Sequence, residues 1–247
     1  MLLEVDHLVK MYVRQGKQFR ALDAVSFSLE KGSWLNIVGE SGSGKSTLSR
    51  LVCGLEKPDQ GKIIFEGMDV AGLSLRQWRE RYRKVQMIFQ NPIASFHPRY
   101  PLLKSIRLGI ENYRVSLEPG QFEQLMEECH LTPALLERYP HEVSGGECQR
   151  AACLRALCLS PELLVCDEVT SALDVSLRLE IGELLRNLVR HHHIACLFVT
   201  HDLLLARKLG GNLIVLQQGS IVEKGRTEDV FQSPREPYTK KLIDSIL

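Results

Sequence analysis

The pattern of apolar and polar residues in the first part of the chain predicts strands interrupted by one helix. Segments 2–13 and 19–33 show a broken alternation of apolar and polar residues, which is typical of half-buried strands. The short apolar run 34–40 leads into a glycine-rich turn, and apolar residues then recur at helical spacing in 47–55. A further strand is predicted at 62–70. We therefore expect this part of the chain to be rich in β-structure.

The middle of the chain, 91–159, has a different pattern. Three prolines between positions 92 and 101 predict an irregular stretch. Short helices are predicted at 116–131 and 133–140, and a longer helix at 144–159 opens on two consecutive glycines. We expect 91–159 to form a helical sub-domain inserted into the rest of the chain.

Strands and helices alternate again in the last third. Strands are predicted at 162–168 and 194–202, an amphipathic helix at 176–190 lies between them, and 212–225 is predicted to form a hairpin. Such alternation is typical of an α/β core with a largely parallel sheet. The predicted fold for residues 1–247 is a single α/β domain with an antiparallel β part at its N-terminus.

Composition and charge restrict the functional classes. The 247 residues are 44% hydrophobic and 25% charged, which suits a globular protein. Lys and Arg total 31 and Asp and Glu total 30, so the net charge of +1 argues against binding nucleic acid through bulk positive charge. No run of about 18 apolar residues predicts a membrane-spanning helix, and seven scattered cysteines suit a reducing compartment. We expect a soluble, intracellular chain.

A glycine-rich segment, GESGSGKST at 39–47, matches the pattern G-x-x-x-x-G-K-[ST] between a predicted strand and a predicted helix. Glycines let the backbone curl so that several N–H groups point at phosphate oxygens, and the helix N-terminus adds positive potential. Lys45 can reach the β- and γ-phosphates of a nucleotide, and the Ser46 hydroxyl suits Mg²⁺. The residues assigned to this phosphate-binding loop are Gly39, Glu40, Ser41, Gly42, Ser43, Gly44, Lys45, Ser46 and Thr47.

Two carboxylates end the predicted strand at 162–168. Consecutive residues of a strand point to opposite sides, so Asp167 and Glu168 can perform different tasks. Beside a phosphate-binding loop, Asp167 is predicted to support the Mg²⁺ ion, and Glu168 is predicted to act as the general base for the attacking water. The sequence therefore predicts hydrolysis of a nucleotide.

With the segment Ser144–Gly145–Gly146–Glu147, these motifs make the chain resemble an ABC-type ATPase, the ATP-binding subunit of a transporter, over essentially its whole length. The resemblance implies a P-loop NTPase core that binds ATP with Mg²⁺. It also implies that Ser144, Gly145 and Gly146 contact the γ-phosphate of ATP held by an opposite subunit. Two glycines at a helix start do expose N–H donors to an anion. One chain has no need of two anion sites for one nucleotide, which favours two chains arranged head to tail.

Four more positions match this family in order. Tyr12 resembles the aromatic residue that stacks on adenine, and Gln90 resembles the glutamine that senses Mg²⁺ and water. Asp174 lies in a segment that resembles the loop crossing the dimer interface, and His201 resembles the histidine that holds the γ-phosphate. The implied catalytic residues are Lys45, Glu168 and His201, and the implied metal site consists of Ser46, Gln90 and Asp167.

Two segments resemble the peptide and nickel importer group within this family. They are FQNPIASFHPR at 89–99 and SPREPYTKKLI at 233–243. Longer peptide importers of the group carry a C-terminal cysteine cluster for an iron–sulfur centre, whereas no cysteine follows Cys196 here, so no such cluster is expected. This short form favours import of nickel or a metal chelate, with import of di- or oligopeptides as the alternative.

The resemblance implies a peripheral subunit at the cytoplasmic face of the inner membrane. Its expected partners are a second ABC ATPase, identical or related, two membrane permeases and, indirectly, an extracytoplasmic substrate-binding protein. A soluble ABC-type ATPase acting on nucleic acid is a less favoured alternative, because the chain between Lys45 and Asp167 leaves room only for a helical sub-domain. We expect no nucleic-acid partner.

Three consecutive histidines occupy 191–193, between a predicted helix and a predicted strand. Histidine is a common metal ligand. A turn between a helix and a strand is nevertheless solvated by default, so we expect these histidines to form an exposed turn without a metal ion.

Overall fold

Ten strands form two sheets in the part of the chain that the computed structural model describes, residues 1–14 and 16–245. The strands are β1 Leu3–Arg14, β2 Lys17–Leu29, β3 Trp34–Val38, β4 Gln60–Phe65, β5 Met68–Asp69, β6 Val85–Ile88, β7 Leu163–Asp167, β8 Ala195–Val199, β9 Asn212–Gln217 and β10 Ser220–Arg226. One sheet has the order β2–β1–β4–β5, and the other has the order β10–β9–β3–β8–β7–β6.

Ten α-helices connect these strands within the same described residues. The helices are α1 Lys45–Val52, α2 Leu75–Arg79, α3 Leu102–Asn112, α4 Gln121–Glu128, α5 Pro133–Leu136, α6 Gly145–Leu157, α7 Val175–His191, α8 Leu203–Leu209, α9 Thr227–Gln232 and α10 Pro237–Asp244. Short 3-10 turns lie at Ile93–Ser95 and Pro140–Glu142. Among the helices described, none combines the length and the apolar character needed to cross a lipid bilayer.

The N-terminal sheet is antiparallel throughout, as predicted. β1 lies between β2 and β4, with Leu3 opposite Leu29 on one side and opposite Phe65 on the other. The strand predicted after α1 is interrupted, because Glu66 and Gly67 have φ values of 51° and 78° and turn the chain into the β4–β5 hairpin. The antiparallel N-terminal part of the fold is therefore confirmed, with one more turn than the sequence pattern indicates.

The second sheet is parallel except for β10, which pairs antiparallel with β9. Every residue of β3, β7 and β8 is buried, as expected of strands covered on both faces. Along β7, Leu163 and Val165 pack in the core shared with the N-terminal sheet and α1, whereas Leu164 and Cys166 pack in the core formed with α6 and α7. Because these strands run parallel, their carboxyl ends meet at one edge of the sheet, where α/β proteins bind ligands.

The chain between β6 and β7 is helical. The helices α4, α5 and α6 lie within three of the predicted helical segments. The helix α3 has no predicted counterpart and begins directly after Pro101, and its Leu102 and Ile106 are fully buried in the core that α6 and α7 share. The helical segment therefore packs on one face of the parallel sheet.

The turn after α1 packs closely against α2, and a substitution of Gly54 in this turn tests that packing. Its φ of 65° is in the left-handed region, and an added Cβ would overlap the indole ring of Trp78, which is 3% exposed. We expect Gly54→Ala to lower the free energy of unfolding by about 2 kcal/mol, because a left-handed alanine costs about 1 kcal/mol and overpacking at least about as much again. Gly67→Ala is the matched control, since Gly67 has a φ of 78° and its Cβ would meet nothing within 4 Å, so that it carries the cost of the left-handed backbone alone. Urea unfolding measures both variants, and equal stabilities would contradict this packing.

Candidate functional site

The predicted phosphate-binding loop at 39–47 connects β3 with α1. Gly44 precedes the first turn of α1 and has a φ of 105°. A Cβ at Gly39 would collide with the backbone oxygen of Leu216, and a Cβ at Gly44 would collide with that of Ala21. Only glycine fits at these two positions, since neighbouring backbone lies directly against them. This close packing fixes the loop at the N-terminus of α1.

Lys45, the first residue of α1, is 3% exposed. Its ammonium group donates hydrogen bonds to the backbone oxygens of Gly39 and Glu40, each at 2.8 Å, and lies 3.7 Å from a carboxylate oxygen of Glu168. Burial lowers the pKa of Lys45, and the negative charges of Glu168 and Asp167 oppose that shift. The structure thus places a buried cation between the phosphate-binding loop and the end of β7.

Asp167 is the last residue of β7 and Glu168 follows it, and the two carboxylates contact different groups. The sequence predicts this from the alternation of a strand, whereas the structure places Glu168 beyond the end of the strand, where alternation does not apply. Asp167 accepts hydrogen bonds from the hydroxyls of Ser46 at 3.1 Å and Ser49 at 3.4 Å. Burial raises the pKa of Asp167, and the hydrogen bond from Ser46 opposes that shift. Glu168 has a φ of 50°, and its N–H donates to the backbone oxygen of Val199 at 2.9 Å. This left-handed residue ends the strand and separates the two carboxylates.

His201 follows β8 and approaches the carboxylate oxygen of Glu168 that Lys45 does not approach. Its Nδ1 atom is 3.8 Å from Oε2 of Glu168, while the ammonium group of Lys45 approaches Oε1 at 3.7 Å. The Glu168 carboxylate therefore lies between a lysine and a histidine. The structure brings together four of the residues that the sequence predicts for catalysis and metal binding, Lys45, Asp167, Glu168 and His201.

Gln90 and Asp174 both lie at the segment between β7 and α7, which follows the two carboxylates. Gln90, beyond the end of β6, donates a hydrogen bond from Nε2 to the hydroxyl of Ser171 at 3.0 Å. Asp174 is the N-cap of α7, and its side chain accepts a hydrogen bond from the N–H of Leu177 at 2.9 Å. Both residues therefore lie near the turn between β7 and α7, and their roles toward Mg²⁺ and a second subunit stay predictions.

The segment Ser144–Gly145–Gly146 opens α6. Ser144 and Glu147 form a reciprocal cap, in which the N–H of Ser144 donates to the Glu147 carboxylate at 2.7 Å and the N–H of Glu147 donates to the Ser144 hydroxyl at 3.2 Å. A Cβ at Gly146 would press on Leu177 of α7, so α6 begins against the first turn of α7. Throughout 1–14 and 16–245, no hydrogen bond or ion pair joins this helix start to the phosphate-binding loop. Its contact with ATP in an opposite subunit stays a prediction.

Tyr12 lies in β1, opposite Phe19 of β2, with the two ring centroids 5.6 Å apart. Its hydroxyl donates a hydrogen bond to the carboxylate of Glu56, which also accepts a hydrogen bond from Arg50 at 2.6 Å. Since Arg50 belongs to α1, this chain of contacts ties the half-buried Tyr12 to the helix that begins at the phosphate-binding loop. Stacking of Tyr12 on adenine stays a prediction.

Two residues outside the sequence motifs also position the site. The hydroxyl of Ser49 donates a hydrogen bond to Asp167, as does the hydroxyl of Ser46, which lies three residues earlier on α1. That spacing puts both hydroxyls on one helix face, which is a signal that the sequence contains. Arg178 of α7 lies 3.6 Å from Asp202, the residue after His201. The sequence offers no comparable signal for Arg178, because its partner is distant along the chain.

The groups at this sheet edge suit the binding and hydrolysis of a nucleoside triphosphate. The loop backbone and Lys45 present positive groups to phosphate oxygens. The Ser46 hydroxyl and the Asp167 carboxylate, 3.1 Å apart, are hard oxygen donors of the kind that Mg²⁺ prefers. The Glu168 carboxylate can accept a proton from water.

Comparisons with known proteins agree with this chemistry. The family model described as ABC transporter matches residues 22–171. The oligopeptide transport ATP-binding protein OppF of Salmonella typhimurium is 38% identical over 258 residues, which cover 99% of this chain and 77% of that protein. The putative peptide import ATP-binding protein BOV_A0347 of Brucella ovis is 39% identical over 248 residues, which cover 99% of this chain and 78% of that protein.

A solved structure has the same fold. The ATP-binding cassette MJ0796, a dimer in a post-hydrolysis state bound to ADP and Pi, superposes with a TM-score of 0.82 at 26% identity, over 92% of this chain and 99% of that one. The predicted fold, a P-loop NTPase core of the ABC type, is thereby confirmed. The chain belongs to the ABC transporter family, as an ATP-hydrolysing subunit of the peptide and nickel importer group.

Proposed function

We propose that this chain hydrolyses ATP to energise the import of di- or oligopeptides across the cytoplasmic membrane. Two relatives that match 99% of the chain are named for oligopeptide transport and for peptide import. Import of nickel or a metal chelate, the main interpretation of the sequence, has less support from these relatives. Peptide import, the alternative interpretation of the sequence, therefore becomes the main one.

The observation that carries the proposal is the position of the Glu168 carboxylate, 3.7 Å from Lys45 and 3.8 Å from His201. Lys45 and the loop residues 39–47 bind the β- and γ-phosphates of ATP, and His201 holds the γ-phosphate. Glu168 accepts the proton of the attacking water. This arrangement supplies both stabilisation of charge on the phosphate and a group that orients and deprotonates the attacking water.

The metal site proposed for Mg²⁺ consists of Ser46, Gln90 and Asp167. The oxygens of Ser46 and Asp167 already converge at 3.1 Å, and the Asp167 side chain is buried. Gln90 is held at the adjacent turn by its hydrogen bond to Ser171. When bound, Mg²⁺ neutralises negative charge on the phosphate oxygens.

The functional unit that we propose is a dimer of this chain with a second ABC ATPase, identical or related. Ser144, Gly145 and Gly146 of one subunit contact the γ-phosphate of ATP bound by the other, with Asp174 at the interface and Tyr12 stacked on adenine. The dimeric state of the solved cassette supports this arrangement. ATP binding closes the dimer and hydrolysis reopens it, because the ligand favours only the closed state.

The dimer is proposed to act at the cytoplasmic face of the inner membrane, as a peripheral unit. It drives two permease subunits, which receive substrate from an extracytoplasmic binding protein. Within the unit, residues 1–247 act as one ATP-binding domain, with 91–159 as its helical sub-domain. The helices α3 to α6, which lie between β6 and β7, support that division.

Uptake measurements in cells test the proposed substrate class. A strain that lacks this chain is expected to lose uptake of labelled di- and oligopeptides and to recover it when the wild-type gene is restored. Uptake of radioactive nickel in the same strain should stay unchanged. Loss of nickel uptake with intact peptide uptake would instead favour the metal interpretation and would contradict the proposal. A plasmid encoding Lys45→Met serves as the control for ATP dependence and should not restore peptide uptake.

A further inference from the structure

Two of the three consecutive histidines contact a carboxylate. His191 is the last residue of α7 and His192 is its C-cap, and both rings face Glu128, the last residue of α4. Nε2 of His192 lies 2.6 Å from one carboxylate oxygen of Glu128, and Nδ1 of His191 lies 3.4 Å from the other. The turn predicted from the sequence is present at His192 and His193, and His191 and His193 are exposed, but the sequence does not predict the contact of His191 and His192 with a carboxylate distant along the chain.

The three side chains form a compact donor set. One ligand atom from each residue can be chosen so that all lie within 4.8 Å of one another. A tetrahedral ion bound at about 2.0 to 2.1 Å from each ligand separates the ligand atoms by about 3.4 Å. Small rotations of the two rings, whose centroids are 4.8 Å apart, therefore suffice to place the three donors around one ion.

We propose that Glu128, His191 and His192 form a binding site for a divalent transition-metal ion. Two imidazole nitrogens and one carboxylate oxygen suit Zn²⁺, Ni²⁺ and Cu²⁺, whereas Mg²⁺ prefers oxygen donors alone. The site is separate from the group around Lys45 and does not depend on the proposed transport of peptides.

The surroundings of the cluster fit a bound ion. The side chains of Glu128 and His192 are 19% and 28% exposed, so water screens their charges only in part. Gln124, one helical turn before Glu128, donates a hydrogen bond to its Oε1 at 3.0 Å and orients the carboxylate, as residues behind metal ligands commonly do.

The cluster also leaves room for solvent ligands. The side chain of His191 is 64% exposed, and a cleft of about 570 Å³ opens beside it. Arg190 lines the same cleft and repels a cation, and the two other carboxylates of the cleft, Glu180 and Glu183, pair with Arg150 and Lys208, so Glu128 supplies the negative charge of the site. With three protein ligands, water can fill the fourth position, as in zinc sites that have an open coordination position.

An ion at this site would tie two distant parts of the chain together. Glu128 ends α4, in the helical segment between β6 and β7, whereas the histidines end α7, which follows β7. A ligand that binds the folded chain and not the unfolded chain stabilises the fold by mass action. The proposal therefore predicts both a binding isotherm and a rise in the melting temperature.

Titration of the full-length chain with ZnCl₂ and NiCl₂, without nucleotide and after removal of metal by a chelator, tests the site. We expect one tight site per chain and a higher melting temperature with metal. Glu128→Gln and His192→Ala should each lower the metal affinity at least about tenfold. Loss of a residue that supports a metal ligand already lowers affinity by about tenfold or more, and loss of the ligand itself should cost at least as much. His193→Asn is the matched control and should keep the wild-type affinity, because His193 is an exposed neighbour outside the cluster.

X-ray absorption of the zinc-loaded chain gives an independent measurement, since two imidazole ligands leave a distinct scattering pattern. Circular dichroism checks that each variant is folded, and Glu128→Gln preserves the size of the side chain if His192→Ala does not fold. Equal affinities in wild type and Glu128→Gln would overturn the proposal, as would a loss of binding in His193→Asn equal to that in His192→Ala. Absence of any zinc-dependent rise in the melting temperature would overturn it too.

Discussion

Replacing Glu168 with glutamine is expected to slow ATP hydrolysis about a thousandfold and to leave ATP binding intact. Glutamine fills the same space but cannot take a proton from water, and general-base catalysis contributes about 10²- to 10⁴-fold to a rate. Because Glu168 lies 3.7 Å from Lys45 and 3.8 Å from His201, the amide stays within reach of both residues. Loss of a negative charge beside the phosphate-binding loop also favours an anionic nucleotide.

Release of phosphate at steady state measures the hydrolysis rate, and calorimetry measures the affinity for ATP. The variant binds ATP without consuming it, so we expect it to accumulate as a closed dimer, visible by light scattering. Glu162→Gln is the matched control. It removes a carboxylate from the opposite end of β7, where Glu162 pairs with Lys31 at 3.0 Å and Lys84 at 2.8 Å, and its rate should stay close to that of the wild type. Equal rates in the two variants would exclude Glu168 as the base.

The strands that lead to the phosphate-binding loop, to the two carboxylates and to His201 are the ones that the sequence predicts best, for a physical reason. β3, β7 and β8 are buried on both faces, so each is a continuous apolar run with a sharp polar end. The phosphate-binding loop needs glycine where backbone packs directly against it, as at Gly39 and Gly44. The backbone that packs there belongs to Leu216 and Ala21, distant along the chain, but the glycines that it requires form a local pattern that is visible without a structure.

Other elements could not be predicted because their signals are ambiguous. Three prolines before α3 indicate irregular backbone, yet Pro101 is also a suitable residue to precede a helix, and α3 begins directly after it. The apolar run after α1 predicts one strand, and only the left-handed Glu66 and Gly67 divide it into a hairpin. In each case tertiary packing chose between two local conformations that the sequence allows.

Contacts between distant residues lay beyond the sequence altogether. Gln90 and Ser171 are 81 positions apart, and Glu128 and His192 are 64 positions apart. The family resemblance predicts a role for Gln90 but not its partner. It offers nothing for Glu128, so the histidines could only be interpreted as a turn. The order of strands in the parallel sheet determines which helix ends meet, and no periodicity along the chain encodes that order.

Replacing Lys45 with methionine is expected to lower the affinity for ATP by about 10²- to 10³-fold. Two opposite charges about 4 Å apart attract each other by about 4 kcal/mol at the effective dielectric constant of a protein site, and each 1.4 kcal/mol is about tenfold in affinity. Methionine keeps most of the length and apolar volume of the lysine stem, so the 3% exposed position stays filled. Titration calorimetry with ATP and with ADP measures the loss.

The stability of the same variant separates a ligand-binding role of Lys45 from a structural one. The wild-type ammonium group is buried, and burial lowers its pKa, so the fold bears a desolvation cost that the apolar methionine removes. That gain opposes the loss of the two hydrogen bonds to Gly39 and Glu40 and of the ion pair with Glu168, whose carboxylate is 18% exposed and keeps some contact with water. We therefore expect little net change in the free energy of unfolding. Lys31→Met, at a 66% exposed lysine, is the matched control and should keep the wild-type affinity. Unchanged affinity in Lys45→Met would refute the phosphate-binding loop, whereas lost affinity together with lost stability would make Lys45 a residue that holds the loop rather than the nucleotide.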